Sequence, residues 1–207
     1  MSYEVELVRR QEQTTSNWSG GTTTQIAIYP KDAVYSERNF QWRLSSARVE
    51  TEESVFTSLP GVWRLIMVLE GTMKLEHAGH HSVTLTPFEQ DSFSGDWTTT
   101  SFGKVRDFNV MLAGACAGEL AAIHTKDNRP IALETKPADP ARFAKVSSAF
   151  YCVEGSITLT IDNSERYELL AGDFLLLTLQ AGTEKIPLTL AGSSSPAHIV
   201  RVDIKYC

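Results

Sequence analysis

Cysteine is scarce in this chain. Cys116, Cys152 and Cys207 are odd in number and far apart, and none sits in a Cys-x-x-Cys pair. That excludes a disulfide framework and predicts three reduced thiols. Basic runs are missing too. Lys and Arg number 19 against 25 Asp and Glu, and the net charge is −6, so there is no electrostatic footprint for nucleic acid. No apolar stretch approaches the length that crosses a bilayer. The N-terminal MSYEVELVRRQEQ has no signal-peptide core. These absences predict a cytoplasmic protein with neither a nucleic-acid nor a membrane partner. Amphipathic helices are also wanting: Asp139-Pro140 offers an N-cap and a first helical position for one short turn only.

What is present is alternation. Ile157, Leu159 and Ile161 face one way, and Thr158 and Thr160 the other. Val200, Val202 and Ile204 alternate with Arg201, Asp203 and Lys205, and Thr23 to Tyr29 alternates similarly. Such patterns predict half-buried antiparallel strands. Turn residues recur at short intervals, in SGG (19–21), LPG (59–61), HAGHH (77–81), DNS (162–164), AGD (171–173) and AGT (181–183). The fold class is all-β, a sandwich or barrel.

The chain repeats itself. VLEGTMKLEHAGHHSVTL (68–85) and CVEGSITLTIDNSERYEL (152–169) share one plan, with Gly71 and Gly155 set 84 residues apart. Each strand ends at Glu-Gly and is followed by a second strand, a polar turn and a returning strand. Each unit then has an acidic residue at the next corner, Asp91 in FEQDSF and Asp173 in AGDFLLL. A duplicated small barrel is implied. The weakest patterning, 113–130, marks a linker, which divides the chain into residues 1–118 and 119–207.

The plan EG–strand–turn–strand–GD–strand resembles the cupin barrel. The resemblance implies a bicupin, two antiparallel barrels of the double-stranded β-helix or jelly-roll type. Metal-binding cupins carry a histidine pair and a glutamate before the EG glycine and a histidine after the GD corner. The glutamate place holds Arg64 in the first unit and Ser148 in the second. FTSLPG (56–61) and FAKVS (143–147) hold no histidine, and Lys185 stands where the last one would be. An arginine among the ligands would repel a cation, so no metal and no cofactor is expected. His80 and His81 read as solvated turn residues. His77 shares strand parity with Met73 and Leu75 and reads as a satisfied core or rim histidine. His124 and His198 are isolated.

The first unit instead places polar groups on strands. FQWRLSSARV (40–49) sets Arg43 and Ser45 on one face. PGVWRLIMVLEG sets Arg64 with Ile66 and Val68, and DFNVML (107–112) sets Asp107, Asn109 and Met111 together. These stretches, with WSGGTTTQIAIYP (18–30) and FSGD, resemble the HutD family and its Ves relatives through most of residues 17–111. The family has an acidic residue where this chain has Gln25. Membership implies a bicupin, a genetic link to histidine degradation, and a binding or regulatory role in preference to established catalysis.

Read from the residues, Arg43, Arg64, Asp107 and Asn109 converge if their strands line one barrel mouth. Asp107 would neutralise one arginine, leaving the other to fork onto an anion. Ser45 and Thr22 or Thr23 add hydrogen bonds. Trp18, Phe93 and Met111 form an apolar wall, while Trp42 and Trp63, of opposite parity to the arginines, belong to the core. The expected guest is a small carboxylate. Formyl- or formimino-glutamate, urocanate and formate are the candidates that the resemblance supplies. A metal-free isomerase or hydrolase acting on such a metabolite is the alternative. It needs a proton carrier, for which only His77 has suitable parity. The bland readings are structural: arginine stems covering apolar surface, and Asp107 and Asn109 holding a turn. The second unit reads as a filled brace or a homodimer contact.

Overall fold

The computed structural model describes residues 3–125, 129–192 and 196–207. The described chain is built of antiparallel strands. β1 (Tyr3–Val8) comes first. Then follow β2 (Thr14–Trp18), β3 (Gly21–Tyr29), β4 (Trp42–Val49), β5 (Glu53–Val55) and β6 (Val62–Glu70). Next come β7 (Met73–His77), β8 (Ser82–Leu85), β9 (Gln90–Ser94), β10 (Thr99–Phe102) and β11 (Val105–Ala113). The remainder are β12 (Ala117–Thr125), β13 (Ile131–Glu134), β14 (Lys145–Glu154), β15 (Ser156–Ile161), β16 (Glu165–Leu170), β17 (Phe174–Gln180), β18 (Pro187–Gly192) and β19 (Ala197–Tyr206). No helix among the described residues is long and apolar enough to cross a membrane. Asp139 makes its short turn: its Oδ1 accepts from the Ala141 amide at 2.9 Å.

Two compact units result, Gln13–Cys116 and Met1–Glu12 with Ala117–Cys207. The expected division is at 118/119, and the chain passes from one unit to the other between Cys116 and Ala117. The first dozen residues depart from it, because β1 pairs with β17 from Tyr3↔Leu179 to Val8↔Phe174. The expected linker departs as well. Most of 113–130 is β12, an edge strand laddered to β19 over nine residue pairs, while residues 126–128 lie outside the described residues. Its Ala and Gly content flattens the hydrophobic pattern, but an edge strand needs only one good face.

In the unit Gln13–Cys116, one sheet runs β2-β3-β4-β11-β6-β9 and the other β5-β10-β7-β8. Ile66, Val68, Met73, Leu75, Leu85 and Phe93 meet in its core, with Val49 and Val105. Burying each large side chain contributes roughly 1.5–3 kcal/mol. In the other unit the sheets run β1-β17-β14-β19-β12 and β13-β18-β15-β16. Its interior is filled by Ile157, Leu159, Ile161, Leu169, Leu175, Leu177 and Leu188, among others. The alternation expected in β19 is not a buried-exposed one, since Arg201 and Asp203 are also buried. β19 lies inside its sheet, and the two charges satisfy each other there.

The duplication is visible in the backbone. Gly71 and Gly155 both have positive φ, +85° and +78°. A Cβ on Gly71 would meet the Lys104 carbonyl at 2.6 Å, and one on Gly155 the Pro196 carbonyl at 2.8 Å. The acidic corner, however, is Glu89 and not Asp91. Phe88 N–H donates to Val68 O and Gly172 N–H to Cys152 O, each at 2.7 Å. Glu89 then accepts from the Thr86 amide at 2.7 Å, as Asp173 accepts from the Leu170 amide at 3.1 Å. Asp91 is left without an acidic counterpart.

Candidate functional site

Antiparallel pairing of three neighbouring strands builds the site. Arg43 on β4 lies opposite Met111 on β11, and Met111 lies opposite Arg64 on β6. Side chains on a strand alternate between faces, so Arg43 and Ser45, Arg64, and Asp107, Asn109 and Met111 all open into one cleft of about 280 Å³. Trp18 and Thr23 also line it. Phe93, expected in the apolar wall, does not line the cleft; its ring centre is 5.2 Å from the Arg64 guanidinium carbon. Thr22, an expected member, does not line the cleft. It pairs with Arg48 while Thr23 pairs with Ala47, which puts it on the opposite face. Trp42 is core, 1% exposed. Trp63, expected there too, is 43% exposed and packs edge-on against Trp97.

The two arginines are buried and differ in company. Arg43 donates from Nε to Gln25 Oε1 at 2.9 Å and from Nη1 to Ser45 Oγ at 3.1 Å. Its guanidinium carbon stands 4.2 Å from the centre of the Tyr35 ring. Arg64 is 6% exposed, and its Nε has no hydrogen-bond partner among the described residues. Its neighbours are π faces: the Phe56 ring centre is 4.7 Å away, a favourable contact for a cation. Burial pulls the Arg64 pKa down to about 10, which leaves it charged at neutral pH.

The expected Asp107–arginine ion pair does not form. Among the described residues neither arginine lies within ion-pair distance of Asp107. Asp107 is buried, and its Oδ1 has no partner, nor does Oδ1 of Asn109. Burial pushes the Asp107 pKa up to about 7; the Arg64 charge and the Ala47 amide oppose the rise without cancelling it. Desolvation wins because, among the described residues, neither cleft arginine reaches the carboxylate. Three polar groups therefore face one cleft with bonding capacity unused. Buried groups of this kind are normally satisfied.

The other unit shows the satisfied alternative. Ser148 stands seven residues before Gly155, as Arg64 stands seven before Gly71. Asp203 pairs with Ser148 as Met111 pairs with Arg64. There Arg201 donates from Nε to Asp203 at 2.9 Å and from Nη2 at 3.0 Å, and Ser148 donates to Asp203 at 2.6 Å. Glu134 O takes the remaining Nη2 bond at 2.7 Å. One fold thus carries a closed charge network in one unit and an open one in the other.

A model of the HutD family matches residues 10–195. The chain belongs to the HutD family. An uncharacterised 21.2 kDa protein encoded in the hutC 3′ region of Pseudomonas putida is 34% identical over 116 residues, which span 53% of this chain and 59% of that relative. The chain therefore spans about three fifths of the length of the curated relative it matches. A crystal structure of a conserved Pseudomonas aeruginosa PAO1 protein of unknown function superposes with a TM-score of 0.79 at 23% identity, covering 99% of this chain and all of that one. HutD from Pseudomonas fluorescens SBW25, solved in a formate condition, gives 0.67 at 20% identity and covers 96% and 98%. Cupin-type structures match at still lower identity, and the fold of this HutD protein is the cupin-type, all-β one.

Gln25, Tyr35 and Phe56 were not foreseen as site residues. The neutral amide of Gln25 holds Arg43 without cancelling its charge. Tyr35 and Phe56 come from segments between strands of the large sheet, where no alternation marks them. His77 has no place in the cleft. Its Nδ1 lies 2.8 Å from Thr99 Oγ1 and its Nε2 3.0 Å from Asp91 Oδ2.

Proposed function

We propose that the cleft binds a small carboxylate without the help of a metal and that this HutD protein serves histidine utilisation as a binding or regulatory protein. The observation that carries the proposal is Arg64: a buried guanidinium with no ion-pair partner among the described residues, flanked by aromatic rings, beside a second buried arginine. A planar fork of donors matches a carboxylate in two parallel bonds. Arg43 supplies a second positive centre, and protonated Asp107 supplies a donor. The formate condition of the Pseudomonas fluorescens HutD structure and the hutC-region setting of the Pseudomonas putida relative agree in chemistry and context. Formate, formylglutamate, formiminoglutamate and urocanate are the compounds to test.

Thermal unfolding with each compound tests this. A ligand at a hundred times its dissociation constant adds about 2.7 kcal/mol to stability. Arg64→Met is expected to abolish that gain. The apo variant should unfold no earlier than wild type, because an apolar side chain of similar length removes an uncompensated buried charge. Ligand stabilisation surviving in Arg64→Met would remove Arg64 from the site.

One observation favours a second reading. The buried carboxyl of Asp107 lines the cleft with an oxygen unpaired among the described residues, and burial pushes its pKa up to about 7, the range a general acid or base uses. Product from any of the four compounds, lost in Asp107→Asn, would make the protein an enzyme; wild-type binding without turnover supports the first reading.

A further inference from the structure

A second polar cluster lies outside the arginine cleft, where β7 turns into β8. His77 is buried, and its Nε2 lies 3.0 Å from Asp91 Oδ2. His81 Nε2 lies 3.0 Å from the same oxygen and 3.2 Å from Oδ1. The turn that carries His81 is pinned: His80 stacks on Trp97 with ring centres 3.7 Å apart, and His77 N–H donates to His81 O at 2.9 Å. The expectation of solvated turn residues is therefore incomplete, since both exposed histidines are held in place.

The duplication shows what this position holds when it is only core. His77 lies six residues past Gly71, as Ile161 lies six past Gly155. Asp91 pairs with Ile66 as Leu175 pairs with Phe150. Thr99 pairs with His77 as Leu188 pairs with Ile161. Ile161, Leu175 and Leu188 are fully buried hydrophobic residues. The unit Gln13–Cys116 thus sets an imidazole, a carboxylate and a hydroxyl where its sister packs three aliphatic chains. Burying polar groups in place of aliphatic ones costs stability unless they are satisfied; here both ring nitrogens of His77 have partners, and the exchange gives this position ligating atoms that its sister lacks.

We propose that His77, His81 and Asp91 form a binding site for a divalent first-row transition ion that prefers imidazole, such as Zn²⁺ or Ni²⁺. The two ring nitrogens and one carboxylate oxygen all lie within 4.8 Å of one another. Zinc bonds of about 2.0–2.2 Å in a tetrahedron set donors roughly 3.3 Å apart, close to the separations from Asp91. Thr99 Oγ1, 2.8 Å from His77 Nδ1, can accept that nitrogen's proton and leave Nε2 free to ligate, the role that a carboxylate, carbonyl or water more often plays behind a metal-bound histidine. Phe93 closes the floor, its ring centre 4.6 Å from that of His77. Two nitrogens and one oxygen select against Mg²⁺ and Ca²⁺, which take all-oxygen shells. Three protein donors leave a fourth position for water or a small ligand. The cupin ligand positions, one of them held by Arg64, take no part.

Calorimetric titration of the untagged, chelator-treated full chain with Zn²⁺ and Ni²⁺ tests the site. One equivalent is expected to bind, with no heat from Mg²⁺. Because His77 is buried and its replacement endangers the fold, exposed His81 carries the test. His81→Ala and Asp91→Asn should each weaken binding at least about ten-fold, and Thr99→Val about 10–100-fold. His124→Ala should leave it unchanged. Ring proton signals of His77 and His81 should shift with the bound equivalent. No binding by wild type, binding indifferent to both His81→Ala and Asp91→Asn, or binding lost instead in His124→Ala would each overturn the proposal.

Discussion

The charge state of Asp107 sets how the cleft responds to pH. Its folded pKa stands near 7 against about 3.9 for an unperturbed aspartate. Below pH 4 both folded and unfolded chains hold the proton. Between about 4 and 7 only the folded chain holds it, so stability falls as pH rises, by at most about 1.4 kcal/mol per unit, and levels off above 7. Asp107→Asn should flatten that slope in denaturant melts between pH 4 and 8. An anionic guest senses the same proton: a carboxylate beside ionised Asp107 is repelled, so wild-type affinity should drop as pH passes 7, and affinity in Asp107→Asn should not. Unchanged slopes in the variant would place the titrating group elsewhere. The arginines and Asp107 could be read from strand parity, since each sits in a strand whose faces alternate. The missing ion pair could not, because parity gives the face and not the separation of two charges on it.

Among the elements, the hairpins are best defined by their glycines. Gly71 and Gly79 both have positive φ, +85° and +77°, yet only Gly71 meets backbone. A Cβ there would lie 2.6 Å from Lys104 O, while one on Gly79 meets nothing within 4 Å. Gly79→Ala should cost about 1–2 kcal/mol, the left-handed penalty alone. Gly71→Ala should cost more, since the ladder beside it must also move; equal urea midpoints for the two variants would contradict this. The Glu-Gly repeat was legible for that reason, as only glycine fits the corner. The acidic corner was misread because Phe88, at φ +69°, does the work of Gly172 at φ +94° without being glycine. With no Gly-Asp to align, Asp91 resembles the partner of Asp173, and the register position it shares with Leu175 does not show in the sequence. β12 was missed for a related reason: its alanines and glycine carry little hydrophobic contrast, and only pairing with β19 reveals it.

At the scale of the whole molecule, the chain is not divided by one cut. β1 edges the β17 sheet, and Tyr3, Val5 and Leu7 pack on the core of that unit. Arg9 then closes the arrangement, its Nη1 2.6 Å from Asp173 Oδ2, and the Arg10 amide donates to Asp173 Oδ1 at 3.0 Å. The alternation in YEVELV showed that a strand is present but not which edge receives it, because pairing partners are set by topology and not by local pattern. Deleting residues 1–12 should therefore act on the unit that is distant in sequence. It exposes the β17 edge, removes three apolar contacts, and leaves a nearly buried carboxylate with the Leu170 amide as its remaining partner. Several kcal/mol of stability should be lost, as for other broken buried charge contacts, and amides of β14 and β17 should exchange faster with solvent. The cleft is lined by residues from Ser16 to Met111, so carboxylate affinity measured on the folded fraction should stay within about two-fold of wild type, as expected for sites that share no partners. Loss of affinity in step with the loss of stability would show instead that the two units act as one cooperative body.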